Sequence, residues 1–541
     1  MEVTTALFAC MDKDWQRTFE AWVEHSELHV SKKHGFDLWD RSKIKKIGAD
    51  VYWVDGINVR NCWTGIINGV TLAASPIRLY FCSSRPDDPI RRKESEILQG
   101  IKKPNTPQKE KVRHLNQFLN EITLSDMFVN IENDSSSFQS PLFDSTKAVG
   151  SGDFLYALKS DLWTSIKRAG IFSLKSCFTI YVVHDTASPE KTPQVNEYCK
   201  NISRKFNEIN KTEYTLTIKK TSLDKALTSS EEGLKKTNRP SLQSTVFLVA
   251  ITGKVGDRLP AKQARLLDSL DELDQPYRLF SYDNQNLSFS ASNQIISLLQ
   301  SVGGRPYRLK LPYPEDFSRG VFIGLDLGHD KINRKSNLVL SVMDSYGEYI
   351  LSVKMFNQPL NESNNSEVLK KILRKAFEEA SLKLDYAIEK CIILRDGLIP
   401  PKRLSSSLES IEDYLEALRV PTTIIELRKR GNPPLYLKDE NNNLKIADGL
   451  KYQPRGSQVR FFNAYESKFG LSNVFKVNIP RNGENFGWDI DSYTEILCGL
   501  CYSPSLGTKP HAPGPIYWAD GIAKTSETNN QFRGQYVIDY N

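Results

Sequence analysis

Between residues 177 and 302, runs rich in β-branched and aromatic residues alternate with segments of helical spacing, and few folds accommodate that order. Residues 177–185 (CFTIYVVHD), 214–219, 245–252 (TVFLVAIT) and 277–282 read as strands, while 193–210, 261–273 and 290–302 read as helices. Strands joined through helices pair in parallel, so the alternation implies a Rossmann-like, mostly parallel sheet covered on both faces. Ligands in such folds gather at the carboxyl ends of the strands. There is no GxGxxG fingerprint and no phosphate loop ending in Gly-Lys-Ser/Thr, so no dinucleotide or NTP site is expected.

A third region begins near Gly320. Residues 321–327 (VFIGLDL) form a short apolar strand that carries one acid, Asp326. Strands at 338–344 and 349–356 follow across a turn at 345–347, then an amphipathic helix at 367–384 and a buried strand at 387–394. That last strand runs directly into Arg395-Asp396-Gly397. An aspartate inside an apolar strand is costly unless a metal, a cation or several hydrogen bonds balance it. Two such acids on neighbouring strands suit a pair of divalent ions about 3.5–4 Å apart, as in phosphodiester cleavage, and all-oxygen ligands favour Mg²⁺ or Mn²⁺. Buried caps or salt-bridge partners would account for either acid taken alone.

The order of strand Asp, hairpin, helix, strand Asp and a late acid resembles the RNase H-like PIWI domain of Argonaute proteins. GLDLGHD (324–330) is similar to the strand holding the family's first catalytic Asp, and ILRDG (393–397) to the second Asp motif. PGPIYWADGIAK (513–524) resembles the family's late acidic segment, with Asp520 at the fourth position. NQPLNESNNSE (357–367) fits the loop whose Glu completes a tetrad, and Glu362 lies 362 − 326 = 36 residues after Asp326 and 396 − 362 = 34 before Asp396. Glu367 is the second choice, better suited to opening the following helix. The resemblance therefore implies Asp326, Glu362, Asp396 and Asp520 as catalytic carboxylates, with Asp326, Asp396 and Asp520 holding two Mg²⁺ or Mn²⁺ ions.

The resemblance covers 315–541 as a PIWI nuclease domain and extends to 166–314 as a MID-like domain, which in the family holds a guide strand's 5′ end. VGGRPY (302–307) is similar to the family's join between the two. The fold class it implies is α/β: a Rossmann-like MID domain plus an RNase H-like PIWI domain, preceded by a mixed α+β N-terminal region at 1–165. That region is too short for the N, linker and PAZ domains of full-size members together, so PAZ is expected to be absent. Short members without PAZ usually have a dead PIWI site and act through a partner effector, whereas this chain keeps all four acids.

The guide pocket departs from the family. Lys262 stands at its first position, but Leu266 replaces a lysine, Arg278 replaces a Gln, and Ser297 and Ser301 stand where lysines are expected. Lys262 and Arg278 are thus the candidates for the guide 5′ end, and the thin positive charge points to a 5′-hydroxyl guide or a differently built phosphate site. The expected function is guide-dependent cleavage of a complementary DNA or RNA strand, in the family's defence against foreign DNA. A guide-programmed sensor acting through an effector protein is the alternative, and an unguided RNase H-like nuclease or recombinase a third.

Before the parallel sheet, short aromatic strands at 49–53 and 77–82 flank polar breaks, and residues 134–152 read as a linker. The basic segment 91–113, broken by Pro104 and Pro107 and helical after them, is either a solvated surface or a contact with a nucleic-acid backbone. Net charge +7 permits nucleic-acid binding without requiring it. With no membrane-length apolar run, no signal-peptide pattern and scattered cysteines, the expected compartment is the cytoplasm. Cys498 and Cys501 form a CxxC with no second pair to complete a zinc site and read as a buried helix face. His329 and His511 lie near the acidic motifs, but a lone loop histidine is more often solvated.

Overall fold

In the computed structural model, the described residues are 2–61, 70–82, 89–90, 108–130, 147–234, 245–359, 366–396 and 413–539, apart from short gaps within these spans. The chain divides into two compact units, one of residues 1–142 and 427–479 and the other of 143–426 and 480–541.

The first unit is built on an antiparallel sheet. Its longest strands are β1 (Val51–Asn61) and β2 (Val70–Cys82), paired along their length from Val51↔Cys82 to Asn61↔Leu72. Strand alternation places Ile57, Val59, Leu72 and Ala74 under helix α1 (Gln108–Thr123), whose Val112, Leu115, Phe118 and Ile122 complete the core. The expected turn to helix after Pro107 is therefore found. Residues 427–479 supply strand Leu435–Lys438, which pairs antiparallel with Glu2–Thr5 and sends Tyr436 into the same core.

The second unit begins with the expected parallel sheet. Its strands are β3 (Cys177–His184), β4 (Thr215–Ser222), β5 (Thr245–Ile251) and β6 (Tyr277–Ser281), ordered β4-β3-β5-β6 and all parallel. Helices α2 (Thr192–Ile209), α3 (Leu223–Leu234) and α4 (Ala261–Glu272) connect them and α5 (Leu287–Ser301) follows β6, α3 being a helix the sequence pattern did not reveal. A Schellman turn ends α5: Gly303 N–H bonds Gln300 O at 3.0 Å, Gly304 N–H bonds Leu299 O at 2.9 Å, and Gly303 takes φ +73°. Of the expected linker 134–152, residues 134–146 lie outside the described part. The rest includes strand Lys147–Val149, set between Leu155–Ala157 and Arg308–Lys310.

The following sheet contains β7 (Gly320–Asp330), β8 (Lys335–Asp344), β9 (Tyr349–Pro359), β10 (Lys390–Asp396), β11 (Thr422–Arg428) and β12 (Val537–Asp539) in the order β11-β10-β7-β8-β9-β12. Helix α6 (Ser366–Leu384) covers one face, packing Leu369, Ile372, Leu373 and Ala376 on Val321, Ile323, Leu340 and Ile393. Helix α7 (Ile490–Leu500) buries Cys498, and Cys501 at its C-cap is buried too, as the CxxC reading expected. Helix α8 (Gly514–Ala523), which the sequence reading did not assign, lies against β7 and β8.

Candidate metal centre

Strand alternation decides which side chains can meet. Val321, Ile323 and Leu325 point into the α6 core, so Gly324, Asp326 and Gly328 face the other way. On that face the backbone of α8 comes close enough that a Cβ at Gly324 would collide with the Pro515 carbonyl, and one at Gly328 with the Ala523 carbonyl. Ser341 Oγ donates to Pro515 O, and Asn337 Nδ2 reaches Ala523 O at 3.4 Å, so the helix is fastened at both ends. The GLDLG motif is thus a seat: two glycines admit a helix backbone, and the acid between them meets the side chain it delivers.

That side chain is Asp520. Asp326 on β7, Asp396 at the end of the parallel neighbour β10, and Asp520 on α8 bring one carboxylate oxygen each within 4.8 Å of one another, all three half-buried. Asp326 Oδ1 also accepts the Leu327 N–H at 2.8 Å. Among the described residues this is the group of His, Cys, Asp or Glu side chains spaced to share a metal ion. Its all-oxygen donors and partial exposure suit a hard divalent cation such as Mg²⁺ or Mn²⁺.

Register extends the same face across β8 to β9: Asp326 stands opposite Val339, and Val339 opposite Lys354, which is 3% exposed. Arg395 has the opposite alternation from Asp396. Burial lowers its pKa, while Glu426 acts in the other direction.

Glu362 falls in 360–365, outside the described residues, and so does the side chain of His329. His511 is not in the acidic group; its N–H bonds Cys501 O at 3.0 Å and its ring lies 4.9 Å from that of Tyr517.

The two residues expected at a guide's 5′ end are not brought together. Lys262 is exposed on α4 and pairs with Asp224 of α3 at 2.9 Å. Arg278 donates from Nε to Ser297 Oγ of α5 at 2.6 Å and from Nη1 to Tyr277 O at 2.8 Å. Tyr277 packs with the α3 and α4 residues, so Arg278, its neighbour on β6, projects from the opposite face. Burial lowers the Arg278 pKa to about 10, leaving it charged at neutral pH. Leu266 is fully buried in the core beneath α4.

A parallel α/β sheet followed by a mixed sheet with three converging acids defines an Argonaute-type fold, and comparison with solved structures bears this out. Marinitoga piezophila Argonaute in complex with a 5′ OH guide RNA superposes with TM-score 0.64 at 14% identity, over 96% of this chain and 86% of that one. Clostridium butyricum Argonaute bound to a guide DNA and a 19-mer target DNA gives 0.61 at 12% identity, over 94% and 80%. In sequence, the chain is similar to the protein named argonaute of Marinitoga piezophila, 34% identical over 128 residues, 24% of this chain and 19% of that protein. It is also similar to the argonaute of Marinitoga hydrogenitolerans, 30% identical over 218 residues, 39% and 30% of the two lengths. The aligned part is thus under a third of either relative. No protein-family model matches the chain. No helix of the described residues is long and apolar enough to cross a membrane.

Proposed function

We propose that the chain is a guide-dependent endonuclease that cleaves the nucleic-acid strand complementary to a short bound guide. The observation that carries this reading is the convergence of Asp326, Asp396 and Asp520, from two strands and a helix, on one point. In this reading 315–541 is the PIWI nuclease domain, 166–314 the MID-like domain, and 1–165 the N-terminal region. Asp326, Asp396 and Asp520 hold two Mg²⁺ or Mn²⁺ ions, which when bound activate water and stabilise the leaving oxygen of a phosphodiester. Glu362 completes the carboxylate set from its loop. Base pairing between guide and target supplies sequence specificity, while the protein holds the duplex by its backbone. Defence against foreign DNA, in the cytoplasm, is the corresponding biological role.

The guide's 5′ end is read as a hydroxyl. Lys262 and Arg278 project from opposite faces of the parallel sheet and Leu266 is buried, so these positions do not form a phosphate cradle. The Marinitoga piezophila structure, which holds a 5′ OH guide RNA, supports the same reading.

The test is cleavage of a labelled, guide-complementary strand with Mn²⁺ by the wild type and Asp396→Ala, in all DNA and RNA pairings and with both guide 5′ ends. A single cut at a fixed distance from the guide's end, abolished in the variant, is expected. Tight guided binding by both proteins with no cut would instead mark a sensor that acts through a partner effector.

A further inference from the structure

The basic segment noted in the sequence leads into α1, and the first unit gathers further cations around that helix's beginning. Register places Lys45 opposite Trp53, Trp53 opposite Tyr80, and Asp55 opposite Arg78, so these side chains share one face of the sheet. Farther along, α1 covers the same face at Ile57 and Val59. Over the Trp53 ring lie the Arg78 guanidinium, 4.6 Å from its centre, and the Lys45 ammonium, at 5.4 Å. Arg78 is held in place by Asp55, whose Oδ1 accepts Nε at 3.1 Å and Nη2 at 3.0 Å.

α1 adds to this charge. Burial lowers the Lys111 pKa, Arg78 lowers it further, and Asp55 acts against them. Burial and then Lys43 lower that of His114, again opposed by Asp55. Lys111 stands in the helix's first turn, where the macrodipole already favours anions. Lys43 is tied to Asp40 at 3.0 Å. Lys45 and Arg78 thus share the Trp53 ring, Lys111 lies within electrostatic reach of Arg78 and Asp55, and Lys43 and His114 lie within reach of each other.

We infer that Lys45, Arg78, Lys111 and the first turn of α1 form a phosphate-binding site on the N-terminal unit, which takes the phosphodiester backbone of a nucleic-acid strand. Trp53 serves as the platform that holds the two cations; with both set against its ring, recognition runs through phosphate rather than through base stacking. The contact is therefore independent of sequence and strongly salt-dependent. The inference rests on the nucleic-acid reading above and adds to it an anchor remote from the acidic centre in the chain.

The test measures binding of a fluorescein-labelled single-stranded oligonucleotide of mixed sequence to the full-length protein in EDTA, across a salt series. Lys45→Gln/Lys111→Gln should weaken binding equally for unrelated sequences and reduce the slope of log K against log salt by about one to two. Asp55→Asn, which removes the central carboxylate, should tighten binding and steepen the slope. Lys375→Gln, on α6 and paired with Glu379, is the control. Thermal melts establish that each variant is folded. Wild-type slope and affinity in both the lysine pair and Asp55→Asn would overturn the site while leaving guided binding intact. No oligonucleotide binding by the wild type, even at low salt, would overturn the nucleic-acid reading itself.

Discussion

Replacing Gly324 by alanine tests whether the acidic centre depends on the seating of α8. The new Cβ would lie about 1 Å or more inside normal contact with the Pro515 carbonyl, and 2.9 Å from Ile516 N. Strand β7 cannot yield, because it is hydrogen-bonded to β8 on one side and β10 on the other. Backbone atoms cannot change rotamer, so the helix must retreat by about 1 Å, at an overpacking cost of about 1–3 kcal/mol. Asp520 moves with it. Oxygens on opposite sides of one Mg²⁺ lie about 4.2 Å apart, twice the metal–oxygen distance. The three carboxylates, within 4.8 Å of one another, need only a small adjustment to share an ion, and a further 1 Å carries Asp520 beyond that range. Cleavage should then fall by about 100-fold or more, with loss of the Mn²⁺-induced rise in melting temperature. Both are measured on the same preparation, by strand cleavage and by thermal shift with and without Mn²⁺. A folded Gly324→Ala protein with wild-type Mn²⁺ stabilisation and activity within about threefold of wild type would refute the reasoning.

Gly303→Ala is the contrasting case: nothing lies within 4 Å of an added Cβ, so only its φ of +73° resists, and the cost should be about 1–2 kcal/mol of stability with Mn²⁺ stabilisation retained. Loss of that stabilisation in thermal shift would show coupling that this geometry does not contain. Glu348 gives a pH prediction. Burial and the nearby Asp344 raise its pKa to about 8, although Arg305 Nε lies 2.8 Å from its carboxylate. The folded protein then keeps a proton that the unfolded chain releases near pH 4.3, so stability should decline as pH rises from about 4.5 through 8. Melting curves of Glu348→Gln should be flatter than wild type across that window; an unchanged slope would show that Glu348 ionises normally.

The parallel sheet was legible because β3 and β5 are β-branched and apolar runs and α2 and α4 carry helical spacing, although α3, between β4 and β5, left no such trace. Asp326 and Asp396 stood out for a related reason, as acids in or ending strands that are otherwise apolar. Asp520 did not. Its segment, GPIYWADGIA, is apolar almost all round because α8 is buried on several sides, with Ile516, Trp518, Ala519 and Ile522 all covered, so no helical stripe marks it. Its acid was found through family resemblance alone. The grouping of 427–479 with the N-terminal unit escaped notice as well, since strand Leu435–Lys438 pairs with Glu2–Thr5 more than 400 residues away in sequence and Tyr436 packs among core residues from Cys10 to Ile122, more than 300 away. Pairing at that distance leaves no periodic trace.

The three acids are also held by different means, which bears on how the centre can fail. Asp326 and Asp396 ride on adjacent parallel strands, whose register from Gly320↔Lys390 to Leu325↔Arg395 sets their spacing through backbone hydrogen bonds. Parting them requires breaking the middle of the sheet, which amounts to unfolding. Asp520 rides on a ten-residue helix docked through the glycine seat, the Ser341 and Asn337 bonds, Tyr349 packed on Trp518, and Trp518 Nε1 donating to Ser505 Oγ at 3.1 Å. A shift of α8 too small to unfold anything is enough to withdraw it. Substitutions that only displace α8, such as Gly324→Ala on the face of β7 beneath it, should therefore abolish metal binding in a protein that still folds, whereas those on the α6 side of β7 and β10 should lose both together.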